Sequence, residues 1–210
     1  MNIMKTIKKH LYRTAAAMLL FAAMAIPSKA QVSPDTYYNI GWQFNIPLGN
    51  DFSNHASGWG MNFEGGYYVT PSLALGAFMN FHTNNEYIDR TTIHMGSTAL
   101  NTDQQHSLFQ LPFGLLAHYR FDYGKWQPYA AMKIGAAYAQ MTSDFYIFEN
   151  SKDTWGFYAS PEVGLQYYPW PGSIGFHAAL YYSISTNQGS LMSYDMHSIN
   201  SLGFRLGISF

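Results

Sequence analysis

Leu202-Gly203-Phe204-Arg205-Leu206-Gly207-Ile208-Ser209-Phe210 sets an apolar side chain at every second position, with Gly, Arg, Gly and Ser between them. Side chains of a β-strand point alternately to its two faces, so this period gives a strand with one apolar and one small or polar face. Read backwards, the same alternation recurs in Ile174–Ile184, Trp155–Tyr167, Trp126–Tyr138 and Phe109–Phe121, and then in Leu73–Phe81, Trp59–Val69 and Tyr38–Ile46. That makes eight amphipathic strands, each near the 9–11 tilted residues that cross a hydrocarbon layer.

The punctuation between strands has its own rhythm. Thr70-Pro71-Ser72, Asp122-Tyr123-Gly124-Lys125 and Pro169-Trp170-Pro171-Gly172-Ser173 are short turns. Residues 47–57, 83–106, 140–153 and 185–198 are longer polar segments, expected as loops. Short and long connections alternate, as do the short periplasmic turns and longer external loops of membrane barrels. Aromatic residues gather at strand ends. Tyr37, Tyr67, Tyr68, Tyr123, Trp126, Tyr129, Tyr167, Tyr168, Trp170 and Phe210 mark the turn end, and Trp59, Phe81, Phe109, Tyr138, Trp155 and Tyr182 the loop end. Amphipathic rings of this kind form belts at the two interfaces of a membrane.

Residues 1–30 are of a different kind. Lys5, Lys8, Lys9, His10 and Arg13 precede an apolar run from Thr14 to Pro27, and Ser28-Lys29-Ala30 follows. This is the pattern of a secretory signal peptide cleaved after Ala30, leaving a barrel domain over 31–210. The whole chain has 11 Lys and Arg against 12 Asp and Glu. The segment 1–30 holds five of those bases and no acid, so the remainder carries a charge of −6. A nucleic-acid partner needs a basic face and is excluded. Cysteine is absent, which excludes disulfides, thiolate metal sites and a cysteine nucleophile.

Alternation alone does not say which face meets lipid. A soluble barrel would turn its apolar face inward. The polar face here is rich in Gly, Ala and Ser and would make a poor water-exposed surface. The apolar face carries more bulk than an eight-stranded lumen holds. The apolar face is therefore expected outward, in lipid.

With the signal peptide, the turn entry Tyr67-Tyr68-Val69-Thr70-Pro71, Leu111-Pro112-Phe113, Pro128-Tyr129 and the closing Leu202–Phe210, the chain resembles the small outer-membrane β-barrel family, the group of OmpA-type transmembrane domains, OmpX and OmpW. The resemblance implies an all-β, eight-stranded antiparallel up-and-down transmembrane barrel in the outer membrane of a Gram-negative-type cell. It implies that Phe210 is part of the signal read by the barrel-insertion machinery, and that lipid and lipopolysaccharide surround the barrel. No peptidoglycan-binding domain is expected, since the sequence stops with strand eight.

Candidate functional residues fall into three groups. Counted from the turn ends, Glu64, Lys133, Glu162 and Arg205 occupy inward positions at similar heights. Two acids and two bases sum to zero, and burying an unpaired charge is costly. A salt-bridged layer is expected, with Arg120, His118 and His177 nearer the periplasm and His82 nearer the cell surface. Phe78, Leu108 and Leu116 are expected as an apolar pocket above that layer. In the long segments Asp51, Glu86, Asp89, Asp103, Asp144, Glu149, Asp153 and Asp195 face only Arg90 and Lys152, a net −6. This acidic rim suits divalent-cation bridging to lipopolysaccharide or docking of an unidentified external partner. His94 and His106 lie beside it without metal-ligand spacing. The Ser and His pairs at His55 and His197 match no catalytic pattern, so no enzyme, cofactor or metal is expected. The functional expectation is a structural or surface-interaction role carried by external loops on a plugged barrel. The alternative is a narrow channel or a lateral-transport barrel for small molecules, including hydrophobic ones.

Overall fold

The computed structural model describes residues 36–49, 52–95, 98–145, 148–170, 174–191 and 194–210, with backbone alone at 91, 93–95 and 98–100. The expected signal peptide and Asp51 lie outside the described residues. Ten strands follow in order: β1 Thr36–Leu48, β2 Trp59–Tyr68, β3 Leu73–Met95, β4 Thr98–Arg120, β5 Trp126–Phe145, β6 Phe148–Tyr167, β7 Gly175–Ser185, β8 Gly189–Leu191, β9 Tyr194–Met196 and β10 Ile199–Ser209.

Eight of them close a ring in the order β1-β10-β7-β6-β5-β4-β3-β2, antiparallel throughout, while β8 and β9 pair only with each other. The ring is shut by β1 on β10, with Asn39 opposite Ser209 and Gln43 opposite Arg205. Backbone bonds from Phe210 N to Tyr38 O (2.8 Å) and from Tyr38 N to Phe210 O (3.2 Å) carry that seam to the last residue. Closure leaves no sheet edge within the barrel wall, which is what a strand protein needs in lipid. The turn at Thr70-Pro71 is tied by Val69 N to Leu73 O (2.9 Å) and by Leu73 N to the Thr70 hydroxyl (3.0 Å).

The alternation resolves as expected. Leu115 is 74% exposed and Leu180 62%, whereas Lys133 and Arg205 on the opposite face are fully buried. Three of the aromatic residues placed in the turn-end belt behave otherwise. Tyr37, Tyr68 and Tyr129 point inward and are buried. They stand at inward positions of their strands, so strand parity decides their direction over their place at the strand end.

The long segments are the larger correction. Most of 83–106 and 140–153 is strand rather than loop. β4 and β5 stay paired up to Gln104 opposite Phe145, and β5 and β6 up to Phe145 opposite Phe148. The physical reason is that period 2 shows in a sequence only where one face is apolar. In these segments both faces are largely polar, so strand pairing continues without that mark. The segment 185–198 holds the short hairpin β8–β9, and Gly49 ends β1 at φ 66°, a left-handed conformation that glycine adopts at little cost.

Two seams are interrupted in mid-wall. The β3–β4 ladder skips Asn80-Phe81 opposite Leu111-Pro112, and the β6–β7 ladder skips Ser160-Pro161 opposite Tyr182-Ser183. Proline has no N–H to give its neighbour strand, so each gap has a covalent cause.

Candidate functional site

Glu64 on β2, Lys133 on β5, Glu162 on β6 and Arg205 on β10 converge in the lumen. Lys133 Nζ lies 2.5 Å from Glu64 Oε2 and 2.8 Å from Glu162 Oε2, and Arg205 Nη1 pairs with the same Glu162 oxygen. Glu162 is thus the hinge of the group, shared by both bases. Its other oxygen accepts from the Tyr129 hydroxyl at 2.7 Å. A Cβ on Gly164 would stand 2.6 Å from Tyr129 Cζ, so only glycine lets that ring lie where its hydroxyl reaches Glu162.

Neutral amides complete the layer. Asn39 donates to Glu64 Oε1 (2.7 Å), Lys133 donates to Asn62 Oδ1 (3.0 Å), and Arg205 Nε donates to Gln43 Oε1 (2.9 Å). The Asn80 amide, turned so that its oxygen faces the guanidinium, accepts from Arg205 Nη2 at 3.1 Å. The guanidinium also lies over the Tyr181 ring, 3.9 Å from its centre. Charges this deep stand only when paired and hydrogen-bonded.

The other residues expected in this network lie below and above it. His118 is buried between Tyr129 (ring centres 4.4 Å apart) and Tyr37 (4.6 Å). His177 lies beside the Ser209 hydroxyl at 3.5 Å, and His82 beside Gln43 at 3.3 Å. Arg120 belongs to the rim at the turn end. Its Nε donates to Pro71 O at 2.7 Å and its guanidinium covers the Tyr68 ring at 3.8 Å. No ion pair among the described residues joins it to the charged layer.

The expected pocket of Phe78, Leu108 and Leu116 does not form. Phe78 stands opposite Glu64 and Leu116 opposite Lys133, beside the charges rather than above them. Both pack with Tyr37, Tyr129 and Tyr158, while Leu108 belongs to a separate apolar group.

That separate group closes the barrel mouth at the end of the long connections. Phe52 from the β1–β2 connection, Leu191 of β8 and Met196 of β9 pack onto Leu108, Met141 and Ile199 of the wall. His106 ties the two inserted segments together. Its ring stacks on Phe52 at 4.4 Å, meets Tyr194 edge-on at 4.8 Å, and its Nδ1 lies 2.9 Å from Phe52 O. Burial holds this imidazole below the ordinary histidine range, while the Phe52 carbonyl and then Glu86 pull the other way. Asn187 anchors the insertion, donating to Ala137 O at 3.0 Å and to Thr154 O at 3.2 Å. None of Phe52, Asn187, Leu191 or Met196 stands out in the sequence, because isolated apolar residues in polar segments carry no period. Tyr181, by contrast, is readable as inward from the parity of its strand.

Above the mouth, β3 to β6 rise as a four-stranded sheet. Asp103 accepts from the Tyr87 hydroxyl at 3.0 Å, Glu86 accepts from Asn54 N at 2.6 Å and Asp153 accepts from Gln140 at 2.9 Å. Asp144 faces Glu149 directly across β5 and β6. The side chain of His94 is outside the described residues, and no group of three His, Asp or Glu side chains fit to hold a metal occurs among the described residues.

Residues 14–210 match the family described as outer membrane protein beta-barrel domain. The chain belongs to this family. Its outward apolar face is therefore the lipid-facing face of an outer-membrane barrel, and its locale is the outer membrane. No curated protein sequence matches the chain. Among solved structures, Neisserial surface protein A (NspA) aligns at 13% identity over 83% of this chain and 95% of that one, with a TM-score of 0.50. Ail of Yersinia pestis, crystallised with the heparin analogue sucrose octasulfate, aligns at 15% identity over 84% and 98%, with a TM-score of 0.44. OprG of Pseudomonas aeruginosa aligns at 14% identity over 83% and 94%, with a TM-score of 0.45. At such identities the likeness is one of fold.

Proposed function

We propose that this outer-membrane barrel is a scaffold that holds the β3–β6 sheet outside the cell for contact with an external partner. The observation that carries the reading is unequal strand length. β3 and β4 have 23 residues each and β5 and β6 have 20, while β1, β2, β7 and β10 have 10 to 13. A wall needs no such height to cross lipid. Extended hairpins on a rigid barrel are where interaction residues are expected. Filled layers in the lumen support a scaffold over an open pore, since an eight-stranded interior is just wide enough for side chains to fill it. Lipopolysaccharide is the proposed neighbour of the acidic outward face, and Phe210, at the end of the closing seam, the proposed insertion signal.

The test is to shorten both hairpins to the height of Tyr138 and Trp155 and display wild-type and shortened barrels on cells. Full-length cells should adhere to matrix or cell surfaces, and shortened ones should not, with the barrel still resisting heat in detergent. Equal adhesion would overturn the reading. Removal of Phe210 should lower the inserted fraction in cells, read by surface labelling.

One observation favours a second reading, exchange of small apolar molecules with the bilayer. Beside the gap at Pro161 the lipid-facing wall has a groove of about 440 Å³, lined by Val163, Leu165, Ala178, Leu180, Phe204 and Leu206. Pro161→Val restores the missing N–H. If uptake of a hydrophobic probe into proteoliposomes is absent, or is unchanged by that variant, this reading fails.

A further inference from the structure

The chain has three arginines beyond residue 30: Arg90 in the external hairpin, Arg205 in the charged layer and Arg120 at the periplasmic rim. Arg120 is fixed without a carboxylate. The Pro71 carbonyl takes its Nε–H, the Tyr68 ring lies under its guanidinium at 3.8 Å and the Tyr123 ring beside it at 4.9 Å. Pinned in this way and hydrogen-bonded to the Tyr68 side chain, the guanidinium has no carboxylate partner among the described residues. Lys125, exposed on the same turn, adds positive charge, and Asp122 is turned back to its own turn, accepting from Tyr123 N at 2.7 Å.

Behind Arg120 stand polar groups that lack hydrogen-bond partners among the described residues. The Tyr37 ring is 5.6 Å from Tyr68, and its hydroxyl, buried at 2% exposure, has no hydrogen-bond partner among the described residues. Both ring nitrogens of His118 are in the same condition, 4.6 Å from Tyr37 ring to ring. Buried hydroxyl and imidazole groups are normally hydrogen-bonded. The deeper acids do not satisfy this cluster, because Glu64 and Glu162 are held by Lys133 and Arg205. The periplasmic mouth therefore combines a preorganised guanidinium, a neighbouring ammonium and unpartnered polar groups.

We propose that this mouth is a binding site for a phosphate group, gripped by Arg120 at the rim and backed by the Tyr68 and Tyr37 hydroxyls and the His118 ring. Arginine's planar fork matches phosphate in two parallel hydrogen bonds. The site lies at the turn end, beside the aromatic belt that includes Trp126, where a membrane's phosphates stand. Phosphate can come from a phospholipid headgroup of the inner leaflet or from solution.

In the chain lacking residues 1–30, three arginines give three side-chain Nε–H signals, so each site reports separately by NMR. In a phosphate-free maltoside detergent, inorganic phosphate should shift the Arg120 signal saturably, leave Arg90 and Arg205 in place, and do so where chloride at equal ionic strength does not. Tyr68→Phe should weaken the apparent affinity by on the order of fivefold, the usual scale for one hydrogen bond. Arg120→Lys should keep weak binding, read through the Tyr68 ring signals, and Arg120→Gln should abolish it. In phosphatidylethanolamine nanodiscs, a signal already at its bound position and unmoved by added phosphate assigns the headgroup as source. A signal that still moves assigns free phosphate. The proposal is overturned if the Arg120 shift in detergent is absent or linear, if all three arginines move alike, or if the Tyr68 shifts persist in a folded Arg120→Gln variant.

Discussion

The barrel is closed twice, by opposite means. In mid-lumen four charges and their amide neighbours fill the bore, and at the extracellular mouth apolar side chains from two inserted segments do so. The charged layer is built wholly from wall strands, so ring closure itself brings its members together. The mouth seal borrows Phe52, Leu191 and Met196 from segments outside the ladder and is held by contact, the His106 bridge and a few hydrogen bonds such as those of Asn187. The first should therefore fail only with the barrel, and the second should open by itself.

The largest effect is expected where one group serves two. Glu162→Gln removes the carboxylate shared by Lys133 and Arg205 and leaves two buried bases with Glu64 alone. Breaking a buried pair from one side costs about 3–5 kcal/mol. Unfolding in urea from detergent should show a loss of this size, with the whole barrel melting together. Glu64→Gln should cost less, since Lys133 keeps Glu162. If Arg205→Met and Glu64→Gln both leave the midpoint in place, the layer is not a network. Exchange of the whole quartet for apolar residues of similar volume should be far milder than Glu162→Gln, because the penalty belongs to the unmatched charge.

How much of this was legible follows the same division. Glu64, Lys133, Glu162 and Arg205 could be placed from parity and distance to the turn, because strands of regular rise carry that arithmetic across the sheet. Arg120 obeyed the same parity, yet its length and position on the last residue of β4 let it leave the lumen for the Pro71 carbonyl. Phe78 and Leu116 were legible as inward. Their height relative to the charges was not, since strand tilt shifts levels between neighbours and only the register settles it. The seal was illegible. A segment that folds back into a barrel leaves no period, and Leu191 reads in sequence like any loop leucine.

Leu191→Ala tests the second closure. Burial in a core makes Leu→Ala cost about 2–5 kcal/mol, and a seal bordered by loops belongs at the low end. The loss should be local. Hydrogen exchange should quicken in β8, β9 and the segment around Phe52, while β10 and β7 keep their protection. An equal loss of protection throughout the wall would erase the contrast between the closures.

The smallest expected effect lies above both, where β5 and β6 are held mainly by strand pairing. Asp144 and Glu149 face each other directly, and like charges opposite one another cost about 0.2–1 kcal/mol, less as salt screens them. Asp144→Asn should firm the hairpin by that amount at neutral pH. Partial burial and then the Glu149 carboxylate hold the Asp144 carboxyl above its ordinary range. An acid raised on folding favours the folded form when protonated. Its contribution is complete below the unfolded carboxylate value and is lost as pH rises through the folded one. Exchange in this hairpin, corrected for its intrinsic pH dependence, should therefore slow on acidification through the carboxylate range, and Asp144→Asn should flatten that response. A wild-type hairpin without the response would mean that the sheet above the membrane is set by strand pairing and not by its charges.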